Sequence, residues 1–544
     1  MRVVVLGGTG VFGSRIAELL VRDGHDVLIA ARRLSPARKL ANRLVVRVLQ
    51  LDLREDLTPL WAEDPGVVVD AAGPYHAYAG DPYRIARACI AHGVGYLDLA
   101  DDPAFCEGIA ALDEDARKAG TFALSGVSSV PALSSAVVAA LAGSLDSVDV
   151  IDMAILPGNR APRGASVIQA ILSRTGAVFR LWQGGGWDLP RGWSKPRRFQ
   201  LAPGLVRTGY LIEVPDNRLF PRCFGASTVT FRAGLELWPM NAGLALLSWL
   251  RAVTGVGMPR WAAGAARLVA TMLWPFGTAR GGMIVQVTGR RADGWSRREW
   301  CLVAEAGNGP FVPAVAARAI LRAVDRIRPG ARPALAELPL AEFEAAMSDL
   351  AVTTGTQTAP LPPLFPAHLG DAFLELPVPV RESHDWAGCL RLEGRAEITR
   401  GQGLVARLIA GLFGFPPAGS DVPVTVTKWQ VPEGEVWLRD FGGRRFRSHL
   451  RSVDGRMTER FGPFTFALGL NVTDGTLAFP VAGGRIGPLP LPWRLLPGSV
   501  ASEREEDGRF HFDVELRAPL GFGRIVHYRG WLSKRGASAP DVCR

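Results

Sequence analysis

Apolar residues fall in short runs, separated by helical patterns, along the first 125 positions. The continuous runs are Val3–Leu6, Val27–Ala31, Val45–Leu51, Val67–Ala71 and Thr121–Ser125. Such runs are typical of parallel strands that are covered on both faces. The helical patterns include Phe12–Asp23, Pro82–His92 and Phe105–Ala119. This alternation predicts an α/β fold with a Rossmann-like, doubly wound parallel sheet at the N-terminus.

The pattern changes after about residue 130. A helix is predicted at Ala132–Ala142, and β-branched strands are predicted at Val148–Ile155, Ser227–Phe231, Met283–Arg290 and Arg298–Ala304. We expect residues 131–307 to form an α+β substrate domain. A helix at Val312–Ile327 then opens a return segment, about 308–350, which we assign to the first domain of residues 1–130.

The last third of the chain reads as β structure. Residues 351–367 are rich in Thr and Pro without periodicity, which predicts a linker. Alternating stretches follow at Cys389–Ile398, Val422–Gln430, Glu435–Phe441, Arg445–Val453 and Phe510–Leu516, with one helix at Gly403–Phe413. Asp-Gly pairs between them suit tight hairpins. Residues 368–535 are therefore predicted to form a mainly antiparallel β domain.

A glycine fingerprint follows the first apolar run. It reads Gly8-Thr9-Gly10-Val11-Phe12-Gly13, with Gly7 ahead of it. Between a strand and a helix, this spacing permits a tight turn, a close approach of the backbone to a diphosphate, and close packing of the helix on the strand. The amides of the first helical turn favour the negative charge. We predict a nicotinamide dinucleotide site.

The second strand ends at Arg32-Arg33, where NAD-preferring sites place an acidic residue. A guanidinium pairs well with a 2′-phosphate, so the cofactor is predicted to be NADP(H), with Arg32 as the better candidate. Asp52, after the third strand, is assigned to the adenine amino group or, alternatively, to a helix N-cap. The small residues Ala72 and Gly73, after the fourth strand, leave room for the ribose and nicotinamide.

Over about residues 1–330 these features together resemble the saccharopine dehydrogenase-like family, in its bacterial NADP-binding branch. The resemblance rests on GGTGVFG at 7–13, AAGPY at 71–75, the helix DPYRIARACIAHGVGYLDLADD at 81–102, SGVSSVPALSSAVV at 125–138 and GNGPFVPAVAARAIL at 307–321. Residues from about 360 to 535 resemble a domain of unknown function that is fused behind such cores. This second resemblance implies a domain boundary near residue 360 but does not imply a chemical activity for the C-terminal domain.

The resemblance implies a ligand cleft between 73–75 and 126–135. It places the substrate-binding candidates Pro74, Tyr75, Gly126, Ser128 and Ser129 there. Ser128 and Ser129 can cap the following helix, or the amides there can hold an anionic group. Saccharopine reductases carry an acidic residue in this loop and this chain does not, so the saccharopine reaction is not carried over.

Candidate proton donors near the predicted nicotinamide are Tyr75 and His76. No tyrosine has a lysine four positions later, which disfavours the short-chain dehydrogenase mechanism, and no metal motif is visible. Asp98, Asp101 and Asp102 form an acidic cluster that can orient a cationic substrate group or cap a helix. We expect an NADP(H)-dependent oxidoreductase that transfers a hydride to or from an unidentified small molecule, anionic or lipid-like. The alternatives are a nonenzymatic NADP(H)-binding regulator and a membrane-surface lipid-binding protein.

The formal net charge of the whole chain is +10. The segment from Leu156 to Trp300 contains 20 Lys and Arg residues but only 6 Asp and Glu residues. This excess favours an anionic partner, although arginines on a solvated face explain it equally well. No nucleic-acid motif accompanies it. The apolar stretch 242–274 predicts two helices that pack on a domain or lie in a membrane interface. Scattered cysteines suit a reducing compartment, so we expect a cytoplasmic protein with membrane contact through 242–274. The oligomeric state is left open.

Overall fold

The structure is a computed structural model. It describes residues 1–73, 75, 80–162, 164–255, 257, 262–431 and 434–534. Three large sheets organise this part of the chain, in the order in which the sequence predicts them: a parallel sheet, a mixed sheet and an antiparallel sheet. Residues 181–183 and 186–188 form a further sheet of two short strands. The predicted fold class is therefore confirmed.

The N-terminal domain alternates strands and helices. Its elements are β1 (Arg2–Leu6), α1 (Val11–Arg22), β2 (Asp26–Ala31), α2 (Leu34–Leu44), β3 (Arg47–Gln50), α3 (Thr58–Trp61), β4 (Val67–Asp70), α4 (Arg84–Ala91), β5 (Gly95–Asp98), α5 (Pro103–Gly108), α6 (Asp113–Lys118) and β6 (Phe122–Ser125). These strands pair in parallel in the order β3-β2-β1-β4-β5-β6, which is the Rossmann order. Val3, Val4 and Val5 of β1 are completely buried because helices cover both faces.

One strand of this sheet departs from the sequence prediction. The predicted helix Pro82–His92 agrees with α4, which ends at Ala91. The stretch 81–102, quoted as one helix for the family resemblance, also contains β5, which was not predicted as a strand. Gly93 lies between α4 and β5 with φ +68°, a backbone conformation that glycine adopts without strain, and the chain turns there. The apolar part of β5 consists only of Tyr96 and Leu97, which is too short to be recognised as a strand from its pattern.

The second domain and the return segment follow. Their elements are α7 (Ser134–Ala142), β7 (Ser147–Leu156), α8 (Ala165–Arg174), β8 (Leu181–Gln183), β9 (Gly186–Asp188), β10 (Ser194–Ala202), β11 (Leu205–Leu211), α9 (Asp216–Phe224), β12 (Thr228–Ala233), α10 (Trp238–Thr254), α11 (Ala262–Met272), β13 (Gly281–Arg291), β14 (Gly294–Ala304), α12 (Val312–Arg322), β15 (Gly330–Pro333), α13 (Leu340–Ala345) and β16 (Val352–Pro360). The mixed sheet has the order β10-β11-β12-β7-β13-β14-β16, while β15 pairs in parallel with β6 and so extends the first sheet.

The predicted linker at 351–367 is wrong. Residues 352–360 form β16, which pairs with β14 along its whole length, from Val352 opposite Ala304 to Pro360 opposite Ser296. The side chains of β16 are largely exposed because it is an edge strand, so its sequence lacks the apolar alternation on which strand prediction depends.

The C-terminal domain consists of α14 (Leu364–Leu369), α15 (Val378–His384), β17 (Cys389–Arg400), α16 (Leu404–Phe413), β18 (Gly419–Val431), β19 (Gly434–Phe441), β20 (Arg444–Val453), β21 (Arg456–Phe461), β22 (Phe464–Leu468), β23 (Asn471–Thr473), β24 (Thr476–Ala478), β25 (Val481–Ile486), β26 (Leu489–Pro490), β27 (Gly498–Glu506), β28 (Arg509–Arg517) and β29 (Arg524–Lys534). Within the described residues these strands form one antiparallel sheet of 13 strands, in the order β23-β24-β27-β28-β29-β17-β18-β19-β20-β21-β22-β25-β26.

A buried ion-pair network ties the return segment to the N-terminal domain. Arg318 of α12 is 3% exposed and donates to both carboxylate oxygens of Asp23, at 2.9 and 2.8 Å, directly after α1. Arg322 contacts the same carboxylate, and Asp349 pairs with Arg318 from the other side. Burial alone raises the pKa of Asp23, but the two arginines outweigh it and hold the pKa well below its usual range.

We expect Arg318→Ala to destabilise the protein. Removing one partner of a buried pair costs about 3–5 kcal/mol, and the remaining contact with Arg322 favours the lower end, about 3 kcal/mol. The control is Arg326→Ala, which breaks an exposed pair with Glu342 and should cost less than about 1 kcal/mol. Denaturant unfolding followed by circular dichroism compares the two. Equal losses would show that the network does not carry the contact between α1 and α12.

Candidate functional site

A cavity of about 1000 Å³ opens at the carboxyl ends of the parallel strands. It lies where the strand order reverses between β1 and β4, the position at which open α/β sheets bind ligands. The loops after β1, β2, β3 and β4 form its floor. Helix α8 of the second domain contributes Val167 and Ala170 to the opposite wall, so both domains enclose the cavity.

The glycine turn after β1 is shaped by backbone contacts. Gly7 has φ +67°, and a Cβ there would lie 2.6 Å from the Cα of Ala72. A Cβ on Gly13 would lie 2.5 Å from the carbonyl oxygen of Gly7, so only glycine allows α1 to start this close to the turn. No side chain caps the first turn of α1. This turn fits a diphosphate, because backbone amides at a helix N-terminus are left for an anion.

The other predicted residues of the fingerprint divide into two groups. Thr9, Gly10, Val11 and Phe12 line the cavity together with Gly7, whereas Gly8 and Gly13 do not. Gly8 instead faces the side chain of Ile29, where a Cβ would lie 2.8 Å from Cγ2. Close packing of the turn is thus observed for Gly8 and Gly13, and contact of the other residues with a cofactor stays a prediction.

Three arginines give the adenosine end of the cavity a positive charge. Arg32 and Arg33 are exposed and line the cavity, and so does Arg54 after β3. Within the part of the chain that the structure describes, none of the three guanidinium groups has a hydrogen bond or ion pair. Sequence reasoning missed Arg54; the signal available was its position two residues after Asp52, in the same loop. Arg84 differs, since its side chain is engaged with the carbonyl groups of Leu53 and Glu55.

Asp52 also lines the cavity, and its carboxylate accepts a hydrogen bond from the amide of Arg54 at 3.1 Å. It does not cap a helix, because α3 begins six residues later, at Thr58. The alternative assignment of Asp52 to an N-cap is therefore wrong. Its predicted contact with adenine stays a prediction, as do the contacts of Ala72 and Gly73, which line the cavity after β4.

The hydroxyl of Tyr75 is held by the backbone on both sides. It donates to the carbonyl of Asp70 at 2.5 Å and accepts from the amide of Leu99 at 3.2 Å. The ring lines the cavity, but the proton is already committed to a buried carbonyl, which opposes the predicted role as proton donor. Tyr75 instead clamps the ends of β4 and β5 together. The other candidates in this loop, Pro74 and His76, lie outside the described residues.

The structure does not place Gly126, Ser128 and Ser129 on the cavity. Gly126 is buried and its amide donates to Asp98, while Ser129 is 5% exposed. Neither serine side chain caps a helix, because the regular helix α7 begins only at Ser134. Gly126 and Ser129 are thus held in the core, whereas Ser128 is partly exposed, and the predicted substrate contacts of this loop stay predictions.

The acidic cluster after β5 serves three separate purposes. Asp98 is buried and accepts from the amides of Gly126 and Ala100, each at 2.9 Å. Burial raises its pKa to about 7 despite these hydrogen bonds. Asp102 caps α5 by accepting from the amide of Phe105.

The third member, Asp101, lines the cavity and pairs with Arg174 at the end of α8 at 3.3 Å. Arg174 also donates to the backbone carbonyl of Asp101 at 2.9 Å. This pair bridges the two domains.

Strand order, glycine turn and cavity together define a Rossmann-type dinucleotide-binding protein. The comparison with known families is more specific: residues 3–124 match the saccharopine dehydrogenase NADP binding domain. Residues 376–532 match a domain of unknown function, DUF4166. The two matches confirm the resemblance stated from the sequence over these two segments; the N-terminal match ends at residue 124, short of the 1–330 over which the resemblance was stated, and the bacterial branch stays a prediction.

Solved structures similar to this chain include several dehydrogenases. Saccharopine dehydrogenase (L-Glu forming) from Saccharomyces cerevisiae is 15% identical over 65% of this chain and 99% of its own, with a TM-score of 0.46. A probable dehydrogenase from Thermotoga maritima is 12% identical over 64% and 93%, with a TM-score of 0.33. No curated protein matches the sequence.

The glycine contacts give a direct test of the site. Gly13→Ala should weaken NADPH binding at least about tenfold, because the new methyl group must push α1 away from the Gly7 carbonyl. Gly264→Ala, in the exposed helix α11 where a Cβ meets nothing, is the matched control and should bind as the wild type does. Calorimetric titration measures both. Unchanged affinity of the Gly13 variant would remove the turn from the binding site.

Proposed function

We propose that this protein is an NADP(H)-dependent oxidoreductase. The observation that carries the proposal is the set of three guanidinium groups, Arg32, Arg33 and Arg54, which line the cavity and have no partner among the described residues. Surface arginines usually find acidic neighbours, as Arg2 and Arg47 do on the same sheet. Arginines left unpaired around a cavity favour a ligand with more negative charge than the diphosphate alone, which a 2′-phosphate supplies.

A bound nicotinamide nucleotide supplies or accepts a hydride, and this chain positions the partners. Thr9, Gly10 and the start of α1 hold the diphosphate, and Ala72 and Gly73 leave space beyond it. Asp101 lines the cavity and is held by Arg174 of α8, which donates to its carboxylate and its backbone carbonyl. Val167 and Ala170 of α8 form part of the cavity wall and help to shield the cleft from water.

The substrate class that fits best is a lipid-like small molecule. Helix α8, which lines the cleft, packs against α11. The outward side chains of α11 and the adjoining turn are apolar and exposed: Leu268, Val269, Met272, Trp274 and Phe276. The exposed apolar surface of α11 thus adjoins α8, the helix that forms part of the cleft wall, and favours an apolar substrate.

The nucleotide preference is tested with Arg32→Glu. A charged hydrogen bond is worth roughly 1.5–3 kcal/mol, so the variant should bind NADPH roughly ten- to a hundredfold more weakly while keeping its affinity for NADH. Arg38→Glu is the matched control, since it makes the same charge change on exposed α2 outside the cavity. Calorimetric titration with both nucleotides measures these affinities.

Unchanged NADPH affinity of Arg32→Glu would refute the role of this residue, and no response of the wild type to millimolar NADPH would refute the function. NADPH consumption in the presence of long-chain aldehydes or ketones then separates an enzyme from a nonenzymatic NADP(H)-binding regulator. Binding without turnover over that panel favours the regulator.

We also propose that the stretch 242–274 contacts an anionic membrane surface. Leu246, Trp249, Leu250 and Val253 recur at helical spacing on α10 and are all exposed, so the apolar stripe faces outward. Together with the exposed face of α11 this makes a surface typical of interfacial helices, in the most basic part of the chain. Every helix among the described residues is too short or too polar to cross a bilayer.

Flotation with phosphatidylglycerol-containing vesicles tests this contact. The wild type should float, whereas Trp249→Glu/Val253→Glu should not; Val45→Glu, which changes an even more exposed apolar residue on the N-terminal domain, should float as the wild type does. Arg267→Glu should weaken flotation, since its side chain is exposed. Arg251 is unsuitable, because it donates to the carbonyl of Thr175 at 2.9 Å and holds α10 on the end of α8. Equal flotation of all variants would refute the contact while leaving the cofactor proposal intact.

A further inference from the structure

The C-terminal domain contains its own cavity, of about 360 Å³, far from the glycine turn. Its lining comes from opposite parts of the antiparallel sheet, with Ala501 on β27 and Phe466 on β22. Seven strands lie between β27 and β22 in the sheet order, which in a flat sheet would separate them by roughly 38 Å. The sheet must therefore curl around this space, and α16 closes it with Ile409, Leu412 and Phe413.

The wall of the cavity is apolar along most of its length. Phenylalanines at 413, 415, 461, 464, 466 and 479 contribute to it, with leucine, isoleucine and valine from the neighbouring strands. The volume falls within the range of sites that hold small-molecule ligands. A protein interior otherwise packs without voids of this size, and a cavity lined in this way suits an apolar ligand.

Polar groups gather at one end of the cavity, where the cations Arg439 and Lys428 offset the carboxylates of Glu459 and Glu503. Burial lowers the pKa of His384 to about 4, so this partner of Glu503 is a neutral imidazole. Arg439 donates to Glu459 at 3.2 Å, and Glu503 pairs with the buried His384. Behind them, Lys428 lies 3.8 Å from the ring centre of Trp437. Burial alone raises the pKa of Glu503, but His384, Lys428 and Arg439 hold it below its usual value. With no net positive charge at this end, a neutral hydrogen-bonding group fits better than a carboxylate or a phosphate.

The other end of the cavity opens to solvent through apolar side chains. Leu412, Ile486 and Leu495 line the cavity and are also exposed, so they mark its mouth. Leu408, Leu489, Trp493 and Leu520 extend this exposed apolar rim over α16 and two neighbouring loops. A contiguous apolar rim around an apolar cavity is typical of a site that takes its ligand from a lipid phase.

We propose that the C-terminal domain binds one long-chain, uncharged lipid, with its apolar chain in the cavity and its hydroxyl or carbonyl group at the end formed by Arg439, Glu459 and Glu503. The site is independent of the nucleotide cavity. It gives the DUF4166 domain of this chain a ligand class of its own.

Displacement of the neutral fluorophore N-phenyl-1-naphthylamine from the full-length protein tests the proposal. The competitors are 1-monoacylglycerols with 8 to 14 carbons in the acyl chain, and fatty acids of the same lengths. Affinity for the monoacylglycerols should rise roughly fourfold for each buried methylene and level off when the cavity is full. At equal length the uncharged lipid should bind more tightly than the fatty acid.

Strand β27 supplies a matched pair of variants. Ala501 faces the cavity, whereas its neighbour Val500 is 67% exposed on the other face of the strand. Ala501→Phe fills the cavity and should lower fluorophore affinity at least about tenfold, while Val500→Phe adds bulk outside it and should leave the affinity unchanged. Ser499→Phe, also on the cavity wall, serves as a second filling variant if the first does not fold, and NADPH titration confirms that each variant is native.

Three results would overturn the proposal. The first is no fluorophore binding by the wild type, and the second is equal binding by the filling variants and Val500→Phe. The third is tighter binding of the fatty acids than of the monoacylglycerols, which would refute the uncharged head group. Loss of NADPH binding by Arg32→Glu has no bearing on these outcomes, so the two sites are tested separately.

Discussion

The close approach of the Gly7 backbone to Ala72 is the constraint on which the nucleotide site depends. It brings the loop after β1 against the loop after β4, at the point where the strand order reverses. Position 13 must also be glycine, because its backbone lies against the carbonyl oxygen of Gly7 in the first turn of α1. Because backbone touches backbone at both points, no side-chain rearrangement can relieve a substitution, and the diphosphate-binding geometry is fixed by residue type alone.

The sequence predicted those parts of the fold in which burial and periodicity agree. The strands β1, β2 and β4 are covered on both faces, so their apolar runs were unambiguous. Edge strand β16 has no buried face and was predicted to be a linker. Strand β5 has only four residues, too few for a clear apolar pattern, and was not predicted. In the site, motif spacing located the glycine turn and Arg32, whereas Arg54 reaches the cavity only through the path of the loop after β3.

The hydrogen-bond partners of the polar groups around the predicted substrate loop could not be derived from the sequence. Sequence resemblance places Gly126 and Ser129 near the cleft, but it does not say which way the backbone turns after β6. The buried Asp98 carboxylate draws the amide of Gly126 inward. Tyr75 is similarly committed to the backbone of β4 and β5. Polar side chains near a predicted cleft can thus serve the framework of the fold, which only the hydrogen-bond partners reveal.

The pairing of β15 with β6 has a consequence for how the polypeptide folds during synthesis. The first sheet acquires its outer strand only after some 200 further residues have been made, since β6 ends at Ser125 and β15 begins at Gly330. Until then the backbone groups at the outer edge of β6 have no strand to pair with, and the carboxylate of Asp23 has not yet gained its partner Arg318. The nascent nucleotide-binding half is therefore the aggregation-prone stage of this chain, and its completion must be coupled to that of the second domain.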